Sequence, residues 1–279
     1  MATGPQNERQ RAQTETLQRA RLAIQNGQPA EAERLAGDIL DANSGHLEAT
    51  KILGYALVMQ GRAAEAVDPL EKAARTSRDS EVETQLAIAL RQAGDNDKAL
   101  TWLKRAVKRT PPFAPAFHEL GYLLHTLDRS SEAIEVLKQG VAVAPMMTEM
   151  AIQLGFVCYA AIDRANAGRA FAHALSVNPV HPEAIEGLGT VLMDAGDYAP
   201  AAELFRRALS ANPDDAVARI ALGNCLLELG ERAAAYACLR AASARGPEFY
   251  GKSLRALLSS GHGRFWLRPS SAAKFLRNE

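Results

Sequence analysis

The stretch of sequence that decides the fold runs from Pro182 to Asp215 and reads PEAIEGLGTVLMDAGDYAPAAELFRRALSANPDD. Its apolar residues recur at helical spacing on both sides of a short break at Ala195-Gly196-Asp197. They are Ile185, Leu188 and Leu192 before the break, and Ala201, Leu204, Phe205 and Ala208 after it. The stretch therefore predicts two amphipathic helices joined by a tight turn.

The same stretch returns in degenerate form about every 34 residues. Counting from Gly189 in either direction by one repeat length at a time, each position is a glycine or an alanine: Ala20, Gly54, Ala87, Gly121, Gly155 and Gly223. A step from Ala201 leads each time to an alanine: Ala32, Ala66, Ala99, Ala133, Ala167 and Ala235. Because a glycine inside a helix costs about 1 kcal/mol relative to alanine, its return needs a packing reason. Small side chains let two helix axes approach to the lower end of the roughly 8 to 10 Å range, so these positions are predicted to form the seam of a repeated helix hairpin.

Proline residues follow the second helix of the repeat. They lie twelve residues after the seam alanine, where a proline ends a helix: Pro111, Pro145, Pro179, Pro213 and Pro247. Together with Leu188-Gly189, Ala201 and Phe205, this pattern resembles the tetratricopeptide repeat. The resemblance covers about nine tenths of the chain. It implies an all-α fold, a right-handed α-solenoid of stacked hairpins whose concave surface binds other proteins.

The repeat divides the chain into a polar leader, seven repeats, a capping helix and a basic, aromatic tail. The predicted ranges are 1–12 for the leader, 13–46, 47–79, 80–113, 114–147, 148–181, 182–215 and 216–249 for the repeats, 250–260 for the capping helix and 261–279 for the tail. The end repeats are expected to be atypical because one face of each has no neighbour. In two repeats Asp128 and Ile162 replace the turn glycine, so those two turns are expected to differ in conformation.

The charge balance excludes several classes of partner. Lysine plus arginine and aspartate plus glutamate each number 32, which gives a net charge of zero. No overall basic field exists to attract nucleic acid or an anionic membrane. The first twenty residues lack the apolar core of a signal peptide, and no run of eighteen apolar residues follows. The sequence therefore predicts a cytoplasmic protein with no integral membrane segment and no nucleic-acid partner.

No combination of residues in the sequence indicates an enzyme, a cofactor or a metal site. Gly187-Leu188-Gly189 matches the start of a dinucleotide-binding motif, but it lies inside a predicted helix rather than after a strand. His118 and His125 are seven residues apart, about 10 Å along a helix, which is too far for both to bind one zinc ion. The three cysteines lack CxxC spacing and are predicted to be buried, reduced thiols.

A second stripe of each first helix is not needed for the seam, and stacked repeats would align it along the concave surface. It carries several aromatic residues, a type that is common at binding hot spots. We predict a groove for a protein or peptide partner, formed by Lys51, Tyr55, Gln85, Ile88, His118, Tyr122, His125, Phe156, Tyr159, Thr190 and Asn224. The alternative for each of these residues is packing between adjacent repeats.

The predicted groove differs from the carboxylate clamp of chaperone-binding tetratricopeptide domains. Lys51 stands where that clamp has its first lysine, but Tyr55 replaces the asparagine that follows and Gln85 stands at the next clamp position. Pro115 and Glu119 occupy places that the clamp gives to basic residues. The comparison with this subfamily therefore argues against a co-chaperone role.

The function expected from the sequence is that of a non-enzymatic scaffold that binds a peptide or protein segment in the groove. One alternative is a regulatory or substrate-presenting subunit of an enzyme, because alanine-rich bacterial arrays resemble those ahead of sulfotransferase or glycosyltransferase domains. Another is a self-assembling scaffold, a homo-oligomer that docks through Phe265, Trp266 and Arg268 of the tail. The tail aromatics could equally fold back on the capping helix.

Overall fold

The computed structural model describes residues 5–259 and 269–277. The chain forms two compact units, unit 1 from Met1 to Ala144 and unit 2 from Pro145 to Glu279. Sixteen helices and no strand are present within the described residues. The predicted all-α fold of repeated helix hairpins is confirmed.

Unit 1 contains four hairpins. Its helices are α1 (Pro5–Gln25), α2 (Pro29–Ala42), α3 (Leu47–Met59), α4 (Ala63–Ser77), α5 (Ser80–Gln92), α6 (Asn96–Ala106), α7 (Ala114–Thr126) and α8 (Ser130–Val143). Each odd-numbered helix pairs with the even-numbered helix that follows, and successive hairpins stack. Helix α1 begins at Pro5, so most of the predicted leader, 1–12, is helical rather than separate from the first repeat. Proline fits the first turn of a helix because its missing N–H has no intrahelical partner there.

Unit 2 contains three hairpins and two further helices. Its helices are α9 (Thr148–Ala160), α10 (Arg164–Val177), α11 (Pro182–Asp194), α12 (Tyr198–Ala211), α13 (Ala216–Glu228), α14 (Arg232–Ser243), α15 (Pro247–Ser259) and α16 (Pro269–Arg277). Helix α15 packs on α13 and α14, which is the place predicted for a capping helix. It begins at Pro247 rather than at residue 250, again because proline suits the first helical turn.

The small residues form the hairpin seams, as predicted. All the seam alanines are fully buried: Ala20, Ala32, Ala66, Ala87, Ala99, Ala133, Ala167, Ala201 and Ala235. A Cβ atom added to Gly155 would lie 2.6 Å from Cε1 of Phe171, and one added to Gly54 would lie 2.9 Å from Cδ1 of Leu70. The large side chain of the second helix therefore occupies the space that a side chain on the first helix would need.

The hairpin turns share one backbone conformation, so the expectation that two of them differ is wrong. Asp128 and Ile162 have φ angles of 57° and 64°, in the same left-handed region as Gly196 at 82°. In the turn after α9, the backbone N–H of Asp163 donates to the carbonyl oxygen of Cys158 at 2.9 Å. The equivalent bond follows α7 and α11. This hydrogen-bond pattern closes the end of the first helix and requires a left-handed residue, whichever side chain is present.

Ile162 is the residue least suited to this turn, and its replacement by glycine is expected to stabilise unit 2. A left-handed conformation costs a residue with a Cβ atom roughly 1–2 kcal/mol, and the Ile162 side chain is 79% exposed and adds little packing. Glycine also gains entropy in the unfolded chain, which offsets part of this relief. We therefore expect Ile162→Gly to raise the free energy of unfolding by up to roughly 1 kcal/mol. Urea unfolding followed by circular dichroism measures the change. Ile162→Ala keeps the unfavourable φ angle and serves as the control; a glycine variant less stable than this control would contradict the explanation.

Helix α16 covers the end of unit 2. The Phe275 ring meets Tyr236 edge-on with ring centroids 4.9 Å apart. Nε of Arg240 donates to the carbonyl oxygen of Phe275 at 3.0 Å, while Ala272 and Leu276 are buried. This part of the predicted tail therefore folds back on the last hairpin. The proposed docking residues Phe265, Trp266 and Arg268 lie outside the described residues.

Across residues 5–259 and 269–277, the helices lack the combination of length and apolar character that crossing a bilayer requires.

Candidate functional site

The first helices of successive hairpins contact one another throughout unit 1 and between α9 and α11 of unit 2, which brings the predicted groove residues on those helices into neighbouring positions. In unit 1, α3 contacts α5 and α5 contacts α7. The aromatic residues of these helices are solvent-accessible, with Tyr55 41% exposed and Tyr122 43% exposed. Ile88, His118 and His125 are partly buried. An aromatic surface is therefore available on unit 1.

Lys51 lies beneath this surface and is occupied by carboxylates of its own chain. Its Nζ atom is 2.6 Å from Glu81, 2.9 Å from Asp79 and 3.1 Å from Glu48. Burial alone would lower the pKa of the Lys51 ammonium, but its hydrogen bonds to Glu81, Asp79 and Glu48 outweigh burial and raise that pKa. Lys51 thus supports the surrounding helices and offers no free charge to a partner.

A shallow depression of about 200 Å³ opens beside Lys51. Its lining consists of Arg21, Ile24, Gln25, Glu48, Lys51, Ile52, Tyr55 and Glu81. Arg21 closes one side through an ion pair with Glu48, in which Nη2 and Oε2 are 2.6 Å apart. The depression is therefore bounded by charged side chains, with the Tyr55 ring at its edge.

Tyr55 on α3 lies next to several residues of α5 and α7. We call these residues together the tyrosine cluster: Tyr55, Glu81, Gln85, Arg91, Glu119 and Tyr122. Burial and the nearby Glu81 and Glu119 carboxylates raise the pKa of the Tyr55 phenol, and the Gln85 amide and the Lys51 ammonium oppose this shift. The carboxylates and the amide therefore surround the phenol.

Gln85 is the unusual member of the tyrosine cluster. Its side chain is almost fully enclosed, and the residue is 4% exposed. Within the part of the chain that the structure describes, neither Nε2 nor Oε1 of Gln85 makes a hydrogen bond of normal geometry, although the Tyr55 phenol lies beside the amide. Most buried amides in folded proteins are paired, so an unpaired one calls for an explanation.

Arg91 and Glu119 link α5 to α7 within the same cluster. Nη2 of Arg91 is 3.4 Å from Oε2 of Glu119, and the Arg91 guanidinium lies 4.9 Å from the ring centroid of Tyr122. Arg91 lies on the stripe that the sequence predicts for the concave surface, whereas Glu119 does not. The sequence signal that could have predicted this contact is the opposite charge of the two residues, which lie on the first helices of neighbouring repeats.

In unit 2 the two predicted aromatics have different surroundings. Phe156 is 44% exposed, and its ring meets Phe171 edge-on with centroids 5.1 Å apart. The Tyr159 hydroxyl donates to Oδ2 of Asp194 at 2.8 Å, and the Arg164 guanidinium covers its ring at 3.8 Å. The hydrogen bond to Asp194 raises the pKa of the Tyr159 phenol. Tyr159 therefore packs between adjacent repeats, and Phe156 is the more accessible of the two.

The remaining predicted residues of unit 2 are less exposed. Thr190 and Asn224 are partly buried. Oγ1 of Thr190 donates to the carbonyl oxygen of Glu186 at 2.8 Å, a bond within its own helix. These two residues therefore offer a partner less accessible surface than Phe156 does.

Two larger grooves are lined by residues outside the predicted stripe. One, of about 610 Å³, is lined by residues of α2, α3 and α4 that include Asp68 and Lys72. The other, of about 680 Å³, lies along α10 and α11 and includes Arg164 and Asp194. Each groove contains an ion pair, at 2.6 Å for Lys72 with Asp68 and 3.0 Å for Arg164 with Asp194. These four charges are therefore already matched.

Metal-binding and thiol chemistry have little support in the site. No group of three or more histidine, cysteine, aspartate or glutamate side chains is arranged to hold a metal ion in the described ranges, 5–259 and 269–277. Cys158 and Cys225 are buried, and burial raises the pKa of the Cys225 thiol to about 11. A thiol with so high a pKa is protonated at neutral pH and is a poor nucleophile.

The repeats match known sequence families. A family model described as tetratricopeptide repeat matches residues 17–81, 84–145 and 159–216, and a second model of the same description matches 192–258. The chain belongs to the tetratricopeptide repeat family. Tetratricopeptide repeats are protein-interaction scaffolds that present extended binding surfaces, and this is the functional class that the matches support. No match is found among curated proteins.

Solved structures with tetratricopeptide repeats share the fold. The pilF protein of Pseudomonas aeruginosa is 18% identical, with a TM-score of 0.60 over 74% of this chain and 95% of its own. A tetratricopeptide repeat protein of Parabacteroides merdae is 16% identical, with a TM-score of 0.55 over 88% and 98%. YrrB, a tetratricopeptide repeat protein with an unusual peptide-binding site, is 18% identical, with a TM-score of 0.52 over 66% and 95%. At these identities the likeness shows the fold alone.

Proposed function

We propose that this tetratricopeptide repeat protein is a non-enzymatic scaffold that binds extended peptide or protein segments along the parts of the predicted stripe that unit 1 and unit 2 each present. The observation that carries the proposal is the exposure of Tyr55, Tyr122 and Phe156 on helix faces that the seams do not use. Large aromatic side chains dominate binding energy at protein interfaces. The helices that carry them are already formed, so little ordering cost arises on this side of the complex. Peptide binding by YrrB, which has the same fold, supports this class of ligand.

Affinity capture with matched variants tests the proposal. The full chain serves as bait beside Tyr55→Ala with Tyr122→Ala for unit 1, and Phe156→Ala for unit 2. Truncation of a hot-spot residue typically costs about 2 kcal/mol, so we expect at least one of these variants to lose a wild-type partner by more than about tenfold.

Two alanine substitutions outside the stripe provide the control. Leu22 and Val180 are exposed apolar residues of units 1 and 2, respectively. Leu22→Ala and Val180→Ala remove similar apolar surface, and we expect both to recover each partner as the wild type does. Circular dichroism establishes that all the variants fold. Equal recovery of every partner by the folded stripe variants would refute binding along the stripe.

A further inference from the structure

The tyrosine cluster of unit 1 contains two tyrosines at the same place in their repeats, in unequal surroundings. Tyr122 has a cation on its ring, since the Arg91 guanidinium lies 4.9 Å from the ring centroid and also approaches Glu119 at 3.4 Å. Among the described residues no arginine or lysine lies over the ring of Tyr55. Tyr55 nevertheless has the carboxylates of Glu81 and Glu119 beside it, and the nearby Lys51 ammonium is already paired with carboxylates of its own chain. At Tyr122 the chain combines an aromatic ring, a cation and a carboxylate. At Tyr55 the ring and the carboxylates are present, and a basic ligand would supply the cation over the ring.

The balance of charges around the tyrosine cluster also favours a basic ligand. Among the described side chains, the ion pairs that connect α1, α3, α5 with its N-cap, and α7 involve four carboxylates, Glu48, Asp79, Glu81 and Glu119, and three cations, Arg21, Lys51 and Arg91. Lys51 alone is shared by three of the carboxylates. One negative charge is thus in excess, and a cation is favoured over the face of a tyrosine and near a carboxylate.

Gln85 adds a second observation, independent of charge. Its amide is buried beside the Tyr55 phenol but makes no hydrogen bond of normal geometry in the part of the chain that the structure describes. A primary amide offers one acceptor and two donor hydrogens, which match the C=O and N–H groups of a peptide backbone. An unpaired buried amide destabilises the free protein, and this penalty ends if a ligand turns the Tyr55 ring aside and pairs with Gln85.

We propose that the tyrosine cluster binds a lysine or arginine residue within an extended segment of a partner protein. The main chain of that segment pairs with the Gln85 amide, and its basic side chain lies against Tyr55 near Glu81 and Glu119. This assignment rests on the proposed function, because it names the chemistry that one part of the stripe recognises.

The test uses peptides selected on the full chain. Random twelve-residue peptides displayed on phage are enriched on the wild-type protein, and the enriched peptides are then synthesised with a fluorescent label. Fluorescence anisotropy measures their Kd for the wild type and for each variant. We expect the enriched peptides to share a lysine or an arginine, whose replacement by norleucine raises the Kd.

Gln85→Met separates binding from stability. Methionine has a similar length and no amide, so we expect the Kd to rise about tenfold while the Tm stays the same or rises. A purely structural glutamine would give the opposite result, with a lower Tm and an unchanged Kd. Gln153→Met is the matched control, since Gln153 holds the same repeat position in unit 2, and it is expected to leave the Kd unchanged.

Glu119→Gln tests the charge. Loss of this carboxylate is expected to raise the Kd and to weaken its dependence on salt. Glu135→Gln makes the same charge change at an exposed site on α8. It is expected to change neither the Kd nor the dependence of the Kd on salt.

Three results would overturn the assignment. One is an enriched set without a shared basic residue, and another is a Kd that Gln85→Met leaves at the wild-type value. A third is the finding that binding of the selected peptides depends on Phe156 alone. That result would retain the proposed function and reject this subsite. If no selected peptide binds the full chain, the proposed function fails together with the subsite.

Discussion

Phe171→Ala is expected to lower the free energy of unfolding of unit 2 by about 3–5 kcal/mol, the usual cost of removing a fully buried phenylalanine. The Phe171 side chain has no exposed surface. Its ring occupies the space beside Gly155, where an added Cβ atom would lie 2.6 Å from Cε1, and a Cβ atom on Gly187 would overlap the same ring. Because the two glycines offer no side chain that could fill the cavity, the site collapses poorly after truncation.

Urea unfolding followed by circular dichroism measures this loss. Phe156→Ala is the matched control, since it removes the same side chain from a position that is 44% exposed and touches Phe171 only edge-on. We expect the control to lose about 1 kcal/mol. Equal losses for the two variants would mean that Phe171 does not fill the seam.

Ala201→Leu is expected to destabilise the hairpin of α11 and α12 by about 1–3 kcal/mol, because it overpacks the seam. Ala201 is fully buried, and the facing Gly189 has no room for a Cβ atom beside Phe205. A leucine at residue 201 must therefore push the two helices apart.

Thermal unfolding compares this variant with Ala199→Leu, which makes the same change at an exposed residue of α12. The surface variant is expected to change the free energy of unfolding by less than about 0.5 kcal/mol. An Ala201→Leu protein with the Tm of the wild type would contradict the assigned seam.

The seams were predictable from the sequence because they depend on residue size at a fixed spacing. A glycine or an alanine returns at the Gly189 position of every repeat and an alanine at the Ala201 position, and only close packing explains a glycine there. The turn at Ile162 was predicted wrongly because its conformation follows from backbone hydrogen bonds that the hairpin imposes. Helix α16 has no counterpart in the repeat, so the periodic pattern did not predict it.

The exposure of Tyr55 and Tyr122 was predictable in the same way, since it follows from the helix face on which each residue lies. The occupied state of Lys51 was not, because its hydrogen-bond partner Glu81 belongs to the next repeat. The same limit applies to Gln85, whose unpaired amide depends on how neighbouring helices close around it. Residue type and spacing therefore predict which face is free but not which of its polar groups are satisfied.

The Phe171 ring belongs to one repeat and is enclosed by two. Gly155 covers it from the hairpin of α9 and α10, and Gly187 covers it from the first helix of the next hairpin. If either hairpin opens, the ring meets water and the other hairpin loses the same contact. Local opening of α11 is therefore expected to be coupled to opening of the α9 hairpin through this one ring.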